Sequence, residues 1–389
     1  MSTSYWSDRS PKNKKKSFDV LIVGAGIAGL STAYWLNKED PSLTIAILEK
    51  NRLGSGATGR NAGFITCGSV EHFNRMVSKH GEQQALEIWK YAETNMDLLK
   101  TEIIQDSGKD LEFEQKGAYS LAAQQTEFEE LKSVAKLMEK YKIPIEVCSQ
   151  SQIQERLGAQ NFVGGIRYCR DGAIHPVRLL ERITKKTKFE FFEQTEVFSL
   201  EEHESGTRVL KTDNGDFEGS MVVYCTNGYS ANLHNYFRDK IYPTRGQILL
   251  TEPVKPFMDG PCYANFYLDY FRQLPSGALL IGGFRQLEKE TEVGYSDHIT
   301  EVIQEALHSF IRNHLPKFKN SKITHRWAGV MGFSQDGEPL FGSLPTDPQV
   351  FFAGGFTGHG IGFAFHTAKS LVDLIYGRPI PDWLSAKRF

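Results

Sequence analysis

The run Val20-Leu-Ile-Val-Gly24-Ala-Gly26-Ile-Ala-Gly29, followed by Ala46-Ile-Leu-Glu49, constrains this chain more than any other stretch. It reads as a buried parallel strand, a glycine turn, a helix and a second strand ending in an acid. Gly24 permits the turn out of the strand, Gly26 leaves the backbone open to a pyrophosphate, and Gly29 lets the helix pack close to the sheet. The helix start, with Ile27 and Ala28, offers N–H groups and the positive end of the helix dipole to phosphates. Glu49 follows Gly29 by about 20 residues, where a carboxylate accepts ribose hydroxyls, and Lys50 sits beside it. The pattern predicts a bound dinucleotide; the competing reading is a glycine-rich turn in an ordinary α/β domain.

The chain has 389 residues, enough for two domains with sizeable cores. Its 45 basic and 47 acidic side chains nearly cancel, which argues against a nucleic-acid or membrane-surface partner. The run Lys12-Asn-Lys-Lys-Lys16 reads as a solvated tail, with a localisation or anion-binding role as the alternative. No apolar stretch reaches the ~20 residues of a membrane span, and the polar segment 1–16 lacks a signal-peptide core, so a cytoplasmic protein is expected. Cys67, Cys148, Cys169, Cys225 and Cys262 are scattered without paired spacing, which suits reduced thiols and disfavours zinc; no metal is expected.

Along the chain a glycine-rich loop, Leu53 to Gly63, follows the opening unit. Apolar residues at threes and fours predict helices over about Glu82–Gln105 and around Phe128–Met138, both read as plain core faces. Pro176 suits the first turn of a helix after Asp171-Gly-Ala-Ile-His175. Asn214-Gly215 predicts a hairpin. Strands are expected at 188–192, 220–225, 246–251, 266–274 and 278–283, and amphipathic helix at 299–311. The segment Val350 to Gly362 is a second strand-to-glycine turn, leading into a last helix near Ala364–Tyr376. Two such turns bracketing hairpin-like strands predict a doubly wound nucleotide domain in separated segments, with a mostly antiparallel domain inserted.

Taken together, Gly24–Gly29 with Glu49, the loop Gly54–Gly63, Gly172–Leu180, Val222–Gly228, Pro243-Thr-Arg-Gly-Gln247, Phe271–Gly283, Trp327–Gly342 and Ala353–Gly362 resemble the flavin-dependent amine and amino-acid oxidoreductases of the D-amino-acid-oxidase type. That family includes glycine and sarcosine oxidases, D-amino-acid dehydrogenases and γ-glutamylputrescine oxidase. The form Gly-Ala-Thr-Gly-Arg-Asn-Ala-Gly, with Ser4-Tyr-Trp6, looks most like the last branch. The resemblance implies an α/β Rossmann-like FAD-binding domain of the GR2 type with an inserted, mostly antiparallel β-sheet substrate domain roofing the flavin. The expected division is 17–84, 165–235 and 325–389 for FAD, 85–164 and 236–324 for substrate, and 1–16 as a tail. It also implies FAD rather than NAD, since the C-terminal glycine turn lies near the isoalloxazine ring in this family.

The implied reaction is oxidation of a C–N bond by hydride transfer to flavin N5, giving an imine that hydrolyses, with O2 reoxidising the flavin to give H2O2. Such chemistry needs no protein nucleophile, and none is apparent. Gly56, Ala57, Thr58 and Gly59 can present N–H groups to phosphate and flavin; Asn61 adjoins them. Arg60 reads either as a flavin or substrate contact or as a structural arginine pairing a carboxylate. Val197 resembles the residue whose backbone contacts adenine, and Thr226 and Gly228 form the next turn. Gly355, Gly358, His359, Gly360, Ile361 and Gly362 precede a helix whose dipole would stabilise negative charge on the flavin. His359 reads as a backbone contact in preference to a proton carrier.

Substrate candidates come from the inserted sheet. Tyr270 and Arg272 share a strand face, with Tyr267 nearby. Arg272 could fork onto a carboxylate, or be an edge arginine. Arg245, Gln247, Arg326 and Trp327 are weaker candidates. Sarcosine oxidases carry an oxygen-activating lysine where this chain has Leu280, and a carboxylate-binding lysine where the nearest match is Gly362. Trp327–Asp336 contains no cysteine for covalent flavin, so non-covalent FAD is expected. These departures point away from sarcosine, towards a larger or γ-glutamyl amine. They leave open a dehydrogenase of the same fold that passes electrons to a quinone or other carrier. A non-catalytic flavoprotein is the remaining reading.

Overall fold

Val20–Val23 and Ile45–Leu48 are buried on both faces, as strands covered by helices on both sides must be. In the computed structural model, which describes residues 16–203, 206–265 and 269–389, they are neighbours at the centre of an eight-stranded sheet. Lys16–Val23 pairs in parallel with Ile45–Leu48 on one side and Gly215–Tyr224 on the other. Glu190–Phe192 and Asp347–Gly354 extend the parallel set outward, and Leu340–Leu344 closes one edge antiparallel. The Asn214-Gly215 turn joins Arg208–Thr212 to Gly215–Tyr224 as a hairpin, and Val197–Glu202 adds to it.

Helices cover this sheet. Ile27–Glu39, Glu82–Leu98 and Gly360–Ile375 pack together in one apolar core. Trp35 Nε1 donates to Phe365 O at 2.9 Å. Asn95, fully buried, donates to Ile361 O and accepts from His366 N, tying two helices by one amide. The helix expected to reach Gln105 is α-helical to Leu98 and π-helical over Leu99–Ile104. The last helix begins at Gly360, four residues before the expected start, because Gly360 and Gly362 belong to its first turn.

The second eight-stranded sheet runs Ile323–Ser334, Ile241–Pro253, Ala278–Gly282, Asp269–Gln273, Cys262–Ala264, Ala118–Ala122, Gly164–Tyr168 and Ile145–Ser149. Every junction is antiparallel except that between Cys262–Ala264 and Ala118–Ala122. Glu301–His314 covers its outer face, burying Ile303, Leu307, Phe310 and Ile311 with Phe271 and Ile281. Sheet membership does not follow the segment boundaries drawn from sequence. Ile323–Ser334 and Gly164–Tyr168 lie wholly in the second sheet, whereas Glu82–Leu98 packs in the core of the first. Apolar periodicity marks a face as buried but not which layer buries it. Residues 1–15, with Ser4-Tyr-Trp6 and most of the basic run, and Tyr267 lie outside the described residues. Among the described residues no helix is long and apolar enough to cross a membrane, and no group of His, Cys, Asp or Glu gathers as metal ligands would.

Candidate active site

The adjacent parallel strands end side by side, at Val23, Leu48, Tyr224 and Gly354, and the glycine turns and Glu49 follow them directly. Carboxyl ends of parallel strands are where open α/β sheets bind ligands. Gly24 has φ +102°, and a side chain there would press on Cys225 O at 2.7 Å. A Cβ on Gly29 would fall 2.0 Å from Gly24 O, so the first helix can leave the turn only from a glycine. The loop Gly54-Ser-Gly56-Ala-Thr-Gly59 repeats this construction: Gly54 has φ +78°, and a Cβ on Gly59 would fall 1.9 Å from Gly54 O. Its glycines carry the same GxGxxG spacing as the first turn, a signal that the sequence reading missed. Thr58 Oγ1 accepts the Ile27 N–H at 3.1 Å and so joins the two turns.

Glu49 accepts the N–H groups of Ala25 at 2.9 Å and Asn51 at 3.0 Å, which fixes its carboxylate beside the first turn. Lys50 pairs with Glu196 at 2.7 Å. Asn227 Oδ1 accepts the Gly355 N–H at 3.0 Å, tying the middle turn to the C-terminal one.

These turns open into one cavity of about 920 Å³, closed on its far side by the second sheet. Of the residues selected from sequence it is lined by Gly24, Gly26, Ile27, Ala28, Glu49, Lys50, Gly56, Ala57, Thr58, Arg60, Asn61, Val197, Thr226, Gly228, Tyr270, Gly358, His359, Gly360 and Ile361. Gly29, Gly59, Gly355 and Gly362 stand behind the lining. A Cβ on Gly362 would meet Thr66 O at 2.1 Å and one on Gly355 would meet Leu340 at 2.6 Å, so these glycines permit close packing and do not face the cavity.

Arg272 departs from its expected place. It does not line the cavity: it is buried, donates to Ile174 O at 3.1 Å, and its Nε has no partner. Burial pushes its guanidinium down to about 10. Arg245 and Gln247 also turn away, onto buried Glu292 at 2.5 and 2.9 Å. Arg326 reaches Gln304 at 2.8 Å, and Trp327 Nε1 donates to Arg60 O at 2.9 Å. Arg60 itself donates to Ser55 O and Ala328 O and pairs with Asp297 at 3.2 Å, so it clasps the loop to the second sheet.

The roof over the cavity is made by Tyr263, Tyr270, Ile248, Gly246, Gly329 and Met331, with Phe64 rising to meet them. Phe64 meets Tyr263 and Tyr270 edge-on at 5.4 and 5.9 Å. Tyr263 OH lies 2.6 Å from Thr66 Oγ1. Leu280 clusters with Ala62 and Ile248 on the same face. Burial pushes Tyr270 up to about 12 and His359 down to about 4, so both are neutral near pH 7. His359 Nδ1 lies 3.1 Å from Thr357 O, which puts its proton there, and the ring stacks on His72 at 4.7 Å. Tyr263, Met331, Arg75, Arg285, Tyr229, Tyr295 and Asp297 also line the cavity and were not singled out from sequence. Tyr263 lies opposite Tyr270 on the neighbouring antiparallel strand; nothing local marks Met331 or the loop residues.

The site fits FAD. Glycine backbone lines it where phosphates need close approach, an oriented acid stands at the ribose position, and neutral aromatic side chains cover the other end. Residues 19–374 match the protein family described as FAD dependent oxidoreductase. The chain is 26% identical to a probable oxidoreductase OrdL of Haemophilus influenzae, over 94% of this chain and 85% of that protein. It is 25% identical to glycine oxidase of Bacillus subtilis, over 96% and 97%. The crystal structure of glycine oxidase from Geobacillus kaustophilus superposes with a TM-score of 0.81 at 22% identity, covering 96% of this chain and 100% of that one.

Proposed function

This chain belongs to the family of FAD-dependent oxidoreductases, and we propose that it oxidises the C–N bond of an amine or amino acid to an imine, which water then hydrolyses. The observation that carries the reading is the cavity that joins the glycine turns and Glu49 to an aromatic roof. The similarity to glycine oxidases supports it. When bound, FAD supplies the hydride acceptor at N5.

The residues then have separable tasks. Gly24–Ala28 and Gly56–Thr58 hold phosphates by backbone N–H groups, and Glu49 takes the ribose. Val197 and Thr226–Gly228 would hold the adenine, and Gly358–Ile361, at a helix start, would offer backbone N–H groups to the flavin. Tyr270, Tyr263, Phe64 and Ile248 exclude water and confine the amine-bearing carbon. His359, neutral and hydrogen-bonded to its own turn, positions backbone and moves no proton. Arg60 holds the loop. FAD is non-covalent: the cavity-lining thiol is Cys225, and burial pushes it up to about 12, so it is no nucleophile. The free cysteines agree with a cytoplasmic setting.

Oxygen is the proposed electron acceptor, with H2O2 as product. Leu280, apolar on the roof face, favours a second reading in which a quinone or other carrier takes the electrons. Anaerobic addition of amines, D-amino acids and N-methyl amino acids to FAD-loaded protein should bleach the flavin with at least one class. Bleaching by none overturns the reading. Readmitting air then separates the acceptors: stoichiometric peroxide within seconds supports oxygen, and a flavin that stays reduced supports a carrier.

A further inference from the structure

Two side-chain contacts cross the rim of the cavity. Arg60 Nη1 pairs with Asp297 at 3.2 Å, and the Tyr229 ring stacks on Tyr295 with centroids 5.4 Å apart. All four residues line the cavity, yet all stand at its edge: Arg60 and Asp297 are 34% and 53% exposed, Tyr229 and Tyr295 38% and 41%. The contacts are neighbours. Burial raises the Tyr229 hydroxyl above its ordinary pKa, and Arg60 and Asp297 both act on it. Arg60 closes the short helix Ala57–Arg60 of the second glycine loop, and Tyr229 follows the Thr226–Gly228 turn. Tyr295 and Asp297 come from the connection between the strand Ala278–Gly282 and the helix Glu301–His314. One segment therefore closes onto both of the turns that would hold FAD.

The two sides of these contacts are held differently. Arg60 is fixed by its bonds to Ser55 O at 2.8 Å and Ala328 O at 2.7 Å, and Tyr229 N donates to Thr226 O at 3.0 Å. The opposite side is pinned only at its ends. Val293 bridges to Thr244, Gly294 N donates to Pro243 O at 3.1 Å, and Thr300 N donates to Gln247 Oε1 at 2.9 Å. Between these pins, residues 295–299 are exposed and belong to no helix or strand. They make no backbone–backbone hydrogen bond to another described residue. Their side chains alternate. Tyr295 and Asp297 line the cavity, whereas Ser296 Oγ accepts from Arg245 at 3.2 Å and lies 3.1 Å from His298 Nδ1. A segment with so few backbone bonds opens at low free energy.

We propose that residues 295–299 are a latch over bound FAD, shut by Tyr295 on Tyr229 and by Asp297 on Arg60, and that FAD enters and leaves when the latch opens. Both partners of each contact belong to the chain, so the latch closes by itself and hinders passage in both directions. An aromatic stack and an exposed ion pair are weak contacts, which keeps the open state accessible. Loss of either contact raises the open fraction, and the rates of binding and release rise with it by the same factor. A side chain that held FAD directly would behave otherwise: its loss would speed release alone. The proposal needs FAD in the cavity and does not depend on the amine-oxidation reading.

The test is the kinetics of FAD exchange. Release is followed by chasing radiolabelled FAD from the holoenzyme with excess unlabelled FAD. Binding is followed by the quenching of flavin fluorescence when FAD is added to the apoprotein. Tyr295→Ala should raise both rate constants by about fivefold, and Asp297→Asn should raise both by about threefold. The Kd of each variant should stay within about twofold of the unaltered protein. Both positions are exposed, and circular dichroism of the two variants shows that they are folded. Two results overturn the proposal: rate constants unchanged in both variants, or faster release with unchanged binding, which would make these side chains contacts of FAD itself. No substrate enters the assay, so failure of every amine to bleach the flavin would remove the amine reading and leave the latch standing.

Discussion

At the scale of single residues, neighbouring glycines of one turn make opposite predictions. A Cβ on Gly56 would have nothing within 4 Å, and the backbone there is extended with a negative φ, while Gly59 would drive its Cβ to 1.9 Å from Gly54 O. Gly56→Ala should therefore leave stability within about 0.5 kcal/mol, yet weaken FAD by at least tenfold, because the methyl group enters the space a phosphate needs. Gly59→Ala should break the loop and fail to retain FAD at all. Denaturant unfolding of the apoprotein and fluorescence titration of FAD check the pair; equal effects from both would show that Gly56 faces no ligand. The titratable groups make a second prediction. Tyr270 stands near 12 and His359 near 4, so neither changes charge between pH 6 and 9. The substrate ammonium does lose its proton on that side, so kcat/KM should rise with pH and level off at the amine's own pKa. Measured across substrates of different basicity, the inflection should move with the substrate. A fixed inflection would assign it to the protein.

At the scale of elements, the segment from Phe284 to Thr300 is a strap. It carries Arg285, Tyr295 and Asp297 to the cavity and is pinned by buried Glu292, which accepts from Arg245 and Gln247. Arg245 N also donates to Glu292 O at 2.7 Å, and Tyr295 stacks on Tyr229 at 5.4 Å. Removing one partner of a buried ion pair costs about 3–5 kcal/mol. Glu292→Ala should lower unfolding free energy by about that much and raise the Kd for FAD together with it, as the strap loosens. Loss of stability with unchanged FAD binding would show the strap to be independent of the site. The elements differ in how far the sequence reveals them. Gly24–Gly29 and Asn214-Gly215 are local patterns with one steric solution, and both form as expected. The strap has no periodicity; its place depends on Arg245, some 47 residues away in sequence, and Arg272 was misplaced for the same reason. Alternation puts Tyr270 and Arg272 on one face, but only the second sheet's position over the first decides that Tyr270 meets the cavity and Arg272 meets Ile174.

For the whole molecule, the cavity is where the two sheets face one another. A ligand that fills it touches both, so FAD should stabilise the chain as a unit. At 100 times its Kd the gain should be about 2.7 kcal/mol, visible as a concentration-dependent upward shift of a single unfolding transition; two transitions, of which FAD moves one, would place the cofactor on one layer alone. A bound dinucleotide was legible in the sequence because the glycines of the first turn, Gly24–Gly29, are close together; FAD in particular followed from the resemblance to the family. The roof end of the cavity was not, because the lining residues Tyr263, Tyr270, Arg75, Arg285 and His359 come from five separate segments. The most direct measurement of the central claim is the yield of carbonyl product per flavin reduced, in the absence of oxygen, with an amine or amino acid that bleaches the enzyme. Oxidation of a C–N bond followed by imine hydrolysis predicts one carbonyl and one released amine or ammonia for each flavin. Flavin reduction without carbonyl release would contradict it.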